Sequence, residues 1–342
     1  TDIRFSTDGM VKVQGLSTKK IIERVGPEVR ILCVSMMFSQ EWVQTREVIN
    51  AIKAAHPRLL IVAGGEHPTA MPNLVLSDCP AIDFVITGEA ELSLLEFLWR
   101  HLNGKPQDDL LGLVYRRDNG EIANNGLGRR IKDFANLPRP AWHLCPVENY
   151  FTGAWTHGIA YGRNMLILAT RGCPYQCTFC SNPGMWTTRY MMRPAEEVVD
   201  EIEWLIETYG ANSIDFADLT AIVKKKWVLD FCAELKRRKM DIVWQLPSGT
   251  RSEALDAETL QAIYESGCHL LTYAPESGSL ETVRIIKKNI DLDKMAESLK
   301  HAVRIGHTVK INLIVGFPHE GRRHCWVTIF YGIKAAVIGV HD

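Results

Sequence analysis

The run Leu166-Ile167-Leu168-Ala169-Thr170-Arg171-Gly172-Cys173-Pro174-Tyr175-Gln176-Cys177-Thr178-Phe179-Cys180 decides how the second half of the chain is read. Leu166 through Thr170 has the apolar make-up of a buried strand, and Arg171-Gly172 then lead directly into three cysteines spaced C-x3-C-x2-C. Three thiolates on one loop can each take one corner of an iron–sulfur cube. The fourth iron then has no nearby protein ligand, which leaves the open position a catalytic metal needs. A structural zinc ion would instead need a fourth ligand. Cys145 and His157 are the nearest candidates, and no second cysteine pair stands at finger-like spacing. Cys33, Cys79, Cys232, Cys268 and Cys325 are scattered singly and read as small buried hydrophobes.

The strand before the cysteines opens a series. Candidate strands Leu166–Thr170, Ser213–Ala217, Ile242–Gln245, Leu270–Tyr273 and Val309–Val315 alternate with amphipathic helical patterns near 195–208, 225–238, 257–266 and 293–305. That rhythm predicts a (β/α) barrel, whole or partial, whose loops at the C-terminal strand ends build the active site. Upstream, Ile31–Ser35, Leu59–Ala63 and Ile82–Ile86 are short apolar runs suited to strands buried on both faces. Helical spacing over Val43–Ala55 and Glu89–Leu102 alternates with them, which predicts a doubly wound parallel sheet of Rossmann-like type.

Residues from about 104 to 165 break the alternation, with a hairpin around Asp118-Asn119-Gly120 and a Pro138-Arg139-Pro140 segment. The expected fold class is α/β, with a doubly wound domain over 1–135, a linker over 136–164 and a partial barrel over 165–342. Both ends read as cut. The first sheet is short of an opening strand, and Val340-His341-Asp342 follow a helix where a further barrel strand is expected.

Charge is balanced, with Lys+Arg 39 against Asp+Glu 40, so no extended nucleic-acid-binding face is expected. The basic runs Lys224–Lys226 and Arg237–Lys239 read as solvated ends of one helix. No membrane-spanning helix is expected, since no stretch of about 18 uninterrupted apolar residues occurs. Thr1-Asp2-Ile3-Arg4 is not a secretory signal. With nine cysteines and no export signal, the chain reads as a cytoplasmic protein with metal or redox chemistry.

The C-x3-C-x-Φ-C pattern, with Phe179 as its aromatic residue, resembles the signature of radical S-adenosylmethionine (SAM) enzymes. The resemblance implies a [4Fe–4S] cluster on Cys173, Cys177 and Cys180. It also implies SAM chelated to the fourth iron, and reductive cleavage to a 5′-deoxyadenosyl radical. Glu276-Ser277-Gly278 after the fourth barrel strand is similar to the family's E-S-G segment near the SAM ribose. Gly316-Phe317-Pro318-His319-Glu320 after the fifth is similar to its G-F-P-x-E segment near the adenine. Asp218 resembles the first acid of a pair whose second member is Leu219 here, and Arg251 is a candidate partner of the SAM carboxylate. Phe179, Asp218, Arg251, Glu276, Ser277, Gly316 and Glu320 are thus the expected SAM-side residues.

In the first domain, Ser35, Gly64-Gly65 and Gly88 are small residues at strand ends, where a cofactor can approach the backbone. Together with His67 and the Leu137–Trp142 linker they resemble the subfamily that carries a cobalamin-binding domain before the barrel, which includes the anaerobic magnesium-protoporphyrin ester cyclase and cobalamin-dependent methylases. His67 has Gly65 where the Asp of the D-x-H-x-x-G cobalt-ligand motif would stand, and Glu66 replaces the more usual proline. Cobalamin is therefore expected without a histidine ligand from this chain. The resemblance implies a small-molecule substrate, an electron donor such as flavodoxin or ferredoxin, and methylation of an unactivated carbon. Alternatives are an oxidative cyclase of the same subfamily, a radical SAM methylthiotransferase, and a non-enzymatic cobalamin or zinc binder.

Overall fold

In the computed structural model, which describes residues 2–5, 12–250 and 255–338, strands β1 (Asp2–Phe5) and β2 (Lys12–Gly15) pair antiparallel. The Ser17 hydroxyl caps α1 (Thr18–Arg24) by accepting the Lys20 N–H at 3.3 Å. Then follow β3 (Ile31–Ser35), α2 (Trp42–Ala55), β4 (Leu60–Gly64), α3 (Glu66–Ala70), α4 (Pro72–Asp78), β5 (Phe84–Ile86) and α5 (Ala90–Leu102). Strands β3, β4 and β5 are parallel neighbours. The hairpin β6 (Leu113–Arg116) and β7 (Ile122–Asn124) extends the same sheet antiparallel from β5, rather than lying in a connection. Alternation along β4 feeds two cores: Ile61 and Ala63 pack with α2 and α4 on one face, and Val62 packs with Phe97 of α5 on the other.

Helices thus cover both faces, as a doubly wound sheet requires. Strand β3 departs from expectation. Among the described residues it pairs with β4 alone in the order β3-β4-β5-β6-β7, none of its residues is buried, and Ser35 and Cys33 are exposed. Apolarity signalled a strand here, and its edge position left the strand half solvated. Cys325 is likewise only half-buried, whereas Cys79, Cys232 and Cys268 are core residues.

The second unit begins after Lys132. The elements that follow along the chain are α6 (Val147–Thr152), β8 (Asn164–Ile167), β9 (Thr170–Arg171), α7 (Asn182–Met185), β10 (Met191–Met192), α8 (Ala195–Tyr209), β11 (Ser213–Phe216) and α9 (Lys225–Arg237). They continue with β12 (Val243–Thr250), α10 (Ala257–Glu265), β13 (Cys268–Glu276), α11 (Leu280–Ile285), α12 (Leu292–Ile305), β14 (Thr308–Leu313) and α13 (Arg322–Val337). Strands β8, β11, β12, β13 and β14 form one parallel sheet in sequence order, the arc of a partial barrel. On its helix side, Phe216, Phe231 and Trp244 pack edge to face with centroids 5.2 to 5.5 Å apart.

On the opposite side of β11 and β12, linker residues pack against buried polar groups. Asp215 accepts from the Thr156 hydroxyl and the Gly158 N–H, and the Gln245 amide exchanges two 2.8 Å bonds with the backbone of Ile159. Among the described residues, no helix is long and apolar enough to cross a membrane.

Candidate functional site

The cysteine loop leaves β9 and returns through β10, and these two strands form its stem, with Met191 opposite Arg171 and Met192 opposite Thr170. Gly172 makes the turn at φ 81, a left-handed conformation that suits glycine. Three sets of contacts clamp the stem. Asp218 accepts the Thr170 N–H and hydroxyl, both at 2.5 Å, and the Ala169 N–H at 3.2 Å. The Tyr190 hydroxyl reaches the Thr220 carbonyl at 3.2 Å. Arg193 pairs with Glu201 at 2.5 Å and donates to the Leu168 carbonyl at 3.0 Å. Burial pushes the Asp218 carboxyl up to about 6, against the opposing pull of its bonds from Thr170 and Ala169.

None of the three loop cysteines is in a disulfide; Cys173 and Cys177 are half-buried and Cys180 is exposed. The Cys180 N–H donates to the Cys177 carbonyl at 3.1 Å, and the Asn182 amide donates to the Cys173 carbonyl at 3.3 Å. This donor set fits a [4Fe–4S] cube: three accessible thiols on one clamped loop, each for its own iron. Among the described residues no three His, Cys, Asp or Glu side chains gather closely enough to hold a single ion. Cys145 and His157 line a separate cavity of about 620 Å³ beside Trp142, Tyr150 and Trp155, and none of the loop cysteines lines it.

The loops after β13 and β14 lie against the cysteine loop. The Thr178 N–H donates to the Ile286 carbonyl at 3.0 Å, and the rings of Phe179 and Phe317 are 5.8 Å apart. Glu276 ends β13 at φ 63, is buried, and pairs with Lys288 at 2.7 Å. The Ser277 hydroxyl is buried against Thr328 at 2.8 Å. Glu320 turns into its own loop, accepting the Gly316 N–H at 2.8 Å, the Phe317 N–H at 3.1 Å and the Thr282 hydroxyl at 2.9 Å. Burial raises its carboxyl, but these bonds outweigh it and hold the group below the usual range. Phe179, Glu276 and Gly316 are therefore brought together around the cysteine loop, while Asp218 lies beneath its stem, Leu219 is exposed, and Arg251 lies outside the described residues. Lys288, Thr170 and Arg193 went unread in the sequence, because each acts through a partner that no local spacing reveals.

In the first unit, Ser35, Gly64-Gly65 and Gly88 follow one another across the C-terminal ends of β3, β4 and β5. Exposed Met37, Phe38 and Met71 flank them, so the edge combines small residues with apolar contacts, as a large planar cofactor needs. Gly88 has φ 75, and its N–H donates to the Thr69 hydroxyl at 3.0 Å. His67 is buried in α3, with Nδ1 2.9 Å from the Ser39 hydroxyl and its ring 5.2 Å from Trp42, and burial lowers its pKa.

A model of the radical SAM superfamily matches residues 167–331, and a model of the B12-binding domain matches residues 8–98. An uncharacterized methyltransferase of Pyrococcus horikoshii is 29% identical over 315 residues, covering 92% of this chain and 66% of that protein. The cytidylyl-2-hydroxyethylphosphonate methyltransferase of Streptomyces wedmorensis is 28% identical over 329 residues, covering 87% and 59%. This chain thus spans less than two thirds of either relative. The cobalamin-dependent SAM radical enzyme OxsB, solved with aqua-cobalamin and SAM bound, shares the fold. Its TM-score is 0.77 at 17% identity, covering 93% of this chain and 45% of that one. A radical SAM domain takes a [4Fe–4S] cluster and SAM, and a B12-binding domain takes cobalamin. The chain joins these two domains in one polypeptide and belongs to the radical SAM enzymes that carry a cobalamin-binding domain.

Proposed function

We propose that the chain methylates an unactivated carbon of a small-molecule substrate, in the cytoplasm, with electrons supplied by a donor such as flavodoxin or ferredoxin. Bound at these sites, the cluster and SAM supply a 5′-deoxyadenosyl radical, and cobalamin supplies a methyl carrier. The observation that carries the reading is the pair of contacts that seat the cysteine loop: the Thr178–Ile286 bond to the turn after α11, and the Phe179 ring beside Phe317 of the loop that begins at Gly316. Cys173, Cys177 and Cys180 would hold the cluster, and Asp218, Arg193 and Tyr190 keep the stem of their loop in place. Glu276 would bind the sugar hydroxyls of SAM, with Ser277 bracing the turn behind it through Thr328. Phe179, Phe317 and Gly316 would form an apolar wall for the base. Ser35, Gly64, Gly65 and Gly88 would admit the corrin to the strand ends of the first domain.

The test is anaerobic reconstitution with iron and sulfide, followed by SAM and a reductant. Formation of 5′-deoxyadenosine and transfer of a SAM methyl group to cobalamin support the reading; absence of SAM cleavage sinks it. Iron content separates the methylthiotransferase alternative, since a second cluster gives about eight irons per chain and a single cluster about four. Zinc stoichiometry would favour the non-enzymatic alternative.

A further inference from the structure

Two left-handed backbone positions bracket one ion pair beside the cysteine loop. Glu276 at the end of β13 has φ 63, and Lys287 in the turn after α11 has φ 55. Residues with a Cβ persist in this region only where their surroundings hold them there. The pair between them joins Lys288 Nζ to Glu276 Oε1 at 2.7 Å, with side chains only 13% and 9% exposed. The same turn is closed by the Lys287 N–H on the Arg284 carbonyl at 3.1 Å and the Lys288 N–H on the Val283 carbonyl at 3.0 Å. Ile286, one residue earlier, accepts the N–H of Thr178, which sits between Cys177 and Cys180. The Lys288 ammonium also lies 5.9 Å from the centre of the Phe179 ring. One three-residue turn therefore grips the middle of the cysteine loop by its backbone and the end of β13 by a buried charge pair.

We infer that Ile286–Lys288 is a strap that sets the spacing between the cysteine loop and Glu276, with Lys288 as its charged anchor and a positioning residue for SAM. The inference rests on the reading of Glu276 as a SAM contact. Exposed Lys–Glu pairs contribute little, but a buried pair that loses one partner leaves the other charge stranded. Removing the ammonium should thus release Glu276 and loosen the loop through Ile286, while leaving the three thiols chemically intact.

The test uses Lys288→Met, Lys288→Arg and the double variant Glu276→Gln/Lys288→Met in the whole protein. Iron and sulfide content, SAM affinity by equilibrium dialysis, and hydrogen exchange of the peptide spanning Cys173–Cys180 are measured. Lys288→Met is expected to keep its iron, lose exchange protection over that peptide, and bind SAM roughly 10- to 100-fold more weakly. Lys288→Arg should restore most of both. Wild-type SAM affinity and unchanged protection in Lys288→Met would overturn the strap. If Lys288→Met fails to fold, the double variant decides, since it strands no buried charge. Lost protection over Cys173–Cys180 then supports the strap, and retained protection overturns it. The exchange readout needs no SAM, so failure of the strap is distinguishable from failure of the SAM reading, which would appear in the wild-type protein.

Discussion

Asp218 Oδ1 accepts both the backbone N–H and the hydroxyl of Thr170, each at 2.5 Å, so a carboxylate 48 residues away holds the first residue of the cysteine-loop stem. Asp218→Ala would leave two buried N–H groups and a hydroxyl without their acceptor. At ~1–3 kcal/mol for each unsatisfied group, partly relieved by water, the expected loss is about 3 kcal/mol. Iron occupancy should fall with it, because the stem carries the loop. Urea denaturation of cluster-free protein and iron analysis after reconstitution check both; an unchanged midpoint with full iron would remove Asp218 from this role.

The same carboxylate makes stability depend on pH. Its folded value of about 6, raised by burial, lies above the ordinary value of about 3.9 for an unfolded Asp. The native state therefore binds the proton more tightly. The stabilisation is fully present below about pH 4 and is lost as pH rises through about 6. Asp218→Asn carries no such proton. Wild-type stability relative to this variant should fall by ~2–3 kcal/mol between about pH 4 and pH 7, the value of a two-unit shift. A difference that stays flat across the window would show that Asp218 is ionised throughout.

Gly65 sets a steric limit in the first domain. Its φ is 104, and a Cβ built there would lie 2.5 Å from the Met36 carbonyl oxygen, a backbone atom that cannot swing aside. Gly65→Ala should cost at least ~2 kcal/mol and displace the strand end from its position beside Ser35. Gly120→Ala is the control: its φ is 85 and nothing lies within 4 Å, so only the conformational cost of roughly 1 kcal/mol applies. Thermal unfolding of the two variants, with cobalamin absorbance as a second readout, tests the contrast. Equal losses would mean that the Met36 contact has no effect.

Four helices of the second unit, α8, α9, α10 and α12, were legible to within a residue or two, because amphipathic spacing reports a helix and its buried stripe together. The pattern over 195–208 became Ala195–Tyr209, and that over 293–305 became Leu292–Ile305. Cysteine spacing was equally local, so the loop thiols could be read directly. Ile31–Ser35 marks where this ends: an apolar run reports a strand but not how many strands flank it, and β3 proved an edge. Partners distant in sequence left no trace. Lys288 sat in a Lys287-Lys288 doublet that resembles any solvated helix end, and only the fold brings it to Glu276. Glu320 carried a motif position, yet its oxygens are occupied by its own loop and Thr282.

Arg193 offers a way to separate the stability of the barrel from the positioning of the loop. It follows β10, and its guanidinium meets Glu201 at 2.5 Å with side chains only 12% and 4% exposed. It also donates to the Leu168 carbonyl at 3.0 Å, and its backbone N–H reaches the Ala169 carbonyl at 2.9 Å. Arg193→Met strands the Glu201 charge in the interior and should cost ~3–5 kcal/mol. Arg193→Met/Glu201→Leu removes that charge and should recover most of the loss, since an apolar pair of similar size is often no less stable than a buried ion pair. The double variant still lacks the bond to Leu168, which lies two residues before Thr170. It should therefore fold with near-wild-type stability yet take up less than a full complement of iron. Denaturation curves for both variants, paired with iron content, give the answer. A double variant no more stable than Arg193→Met would rule out the coupling, and full iron in the double variant would show that Arg193 supports the barrel alone.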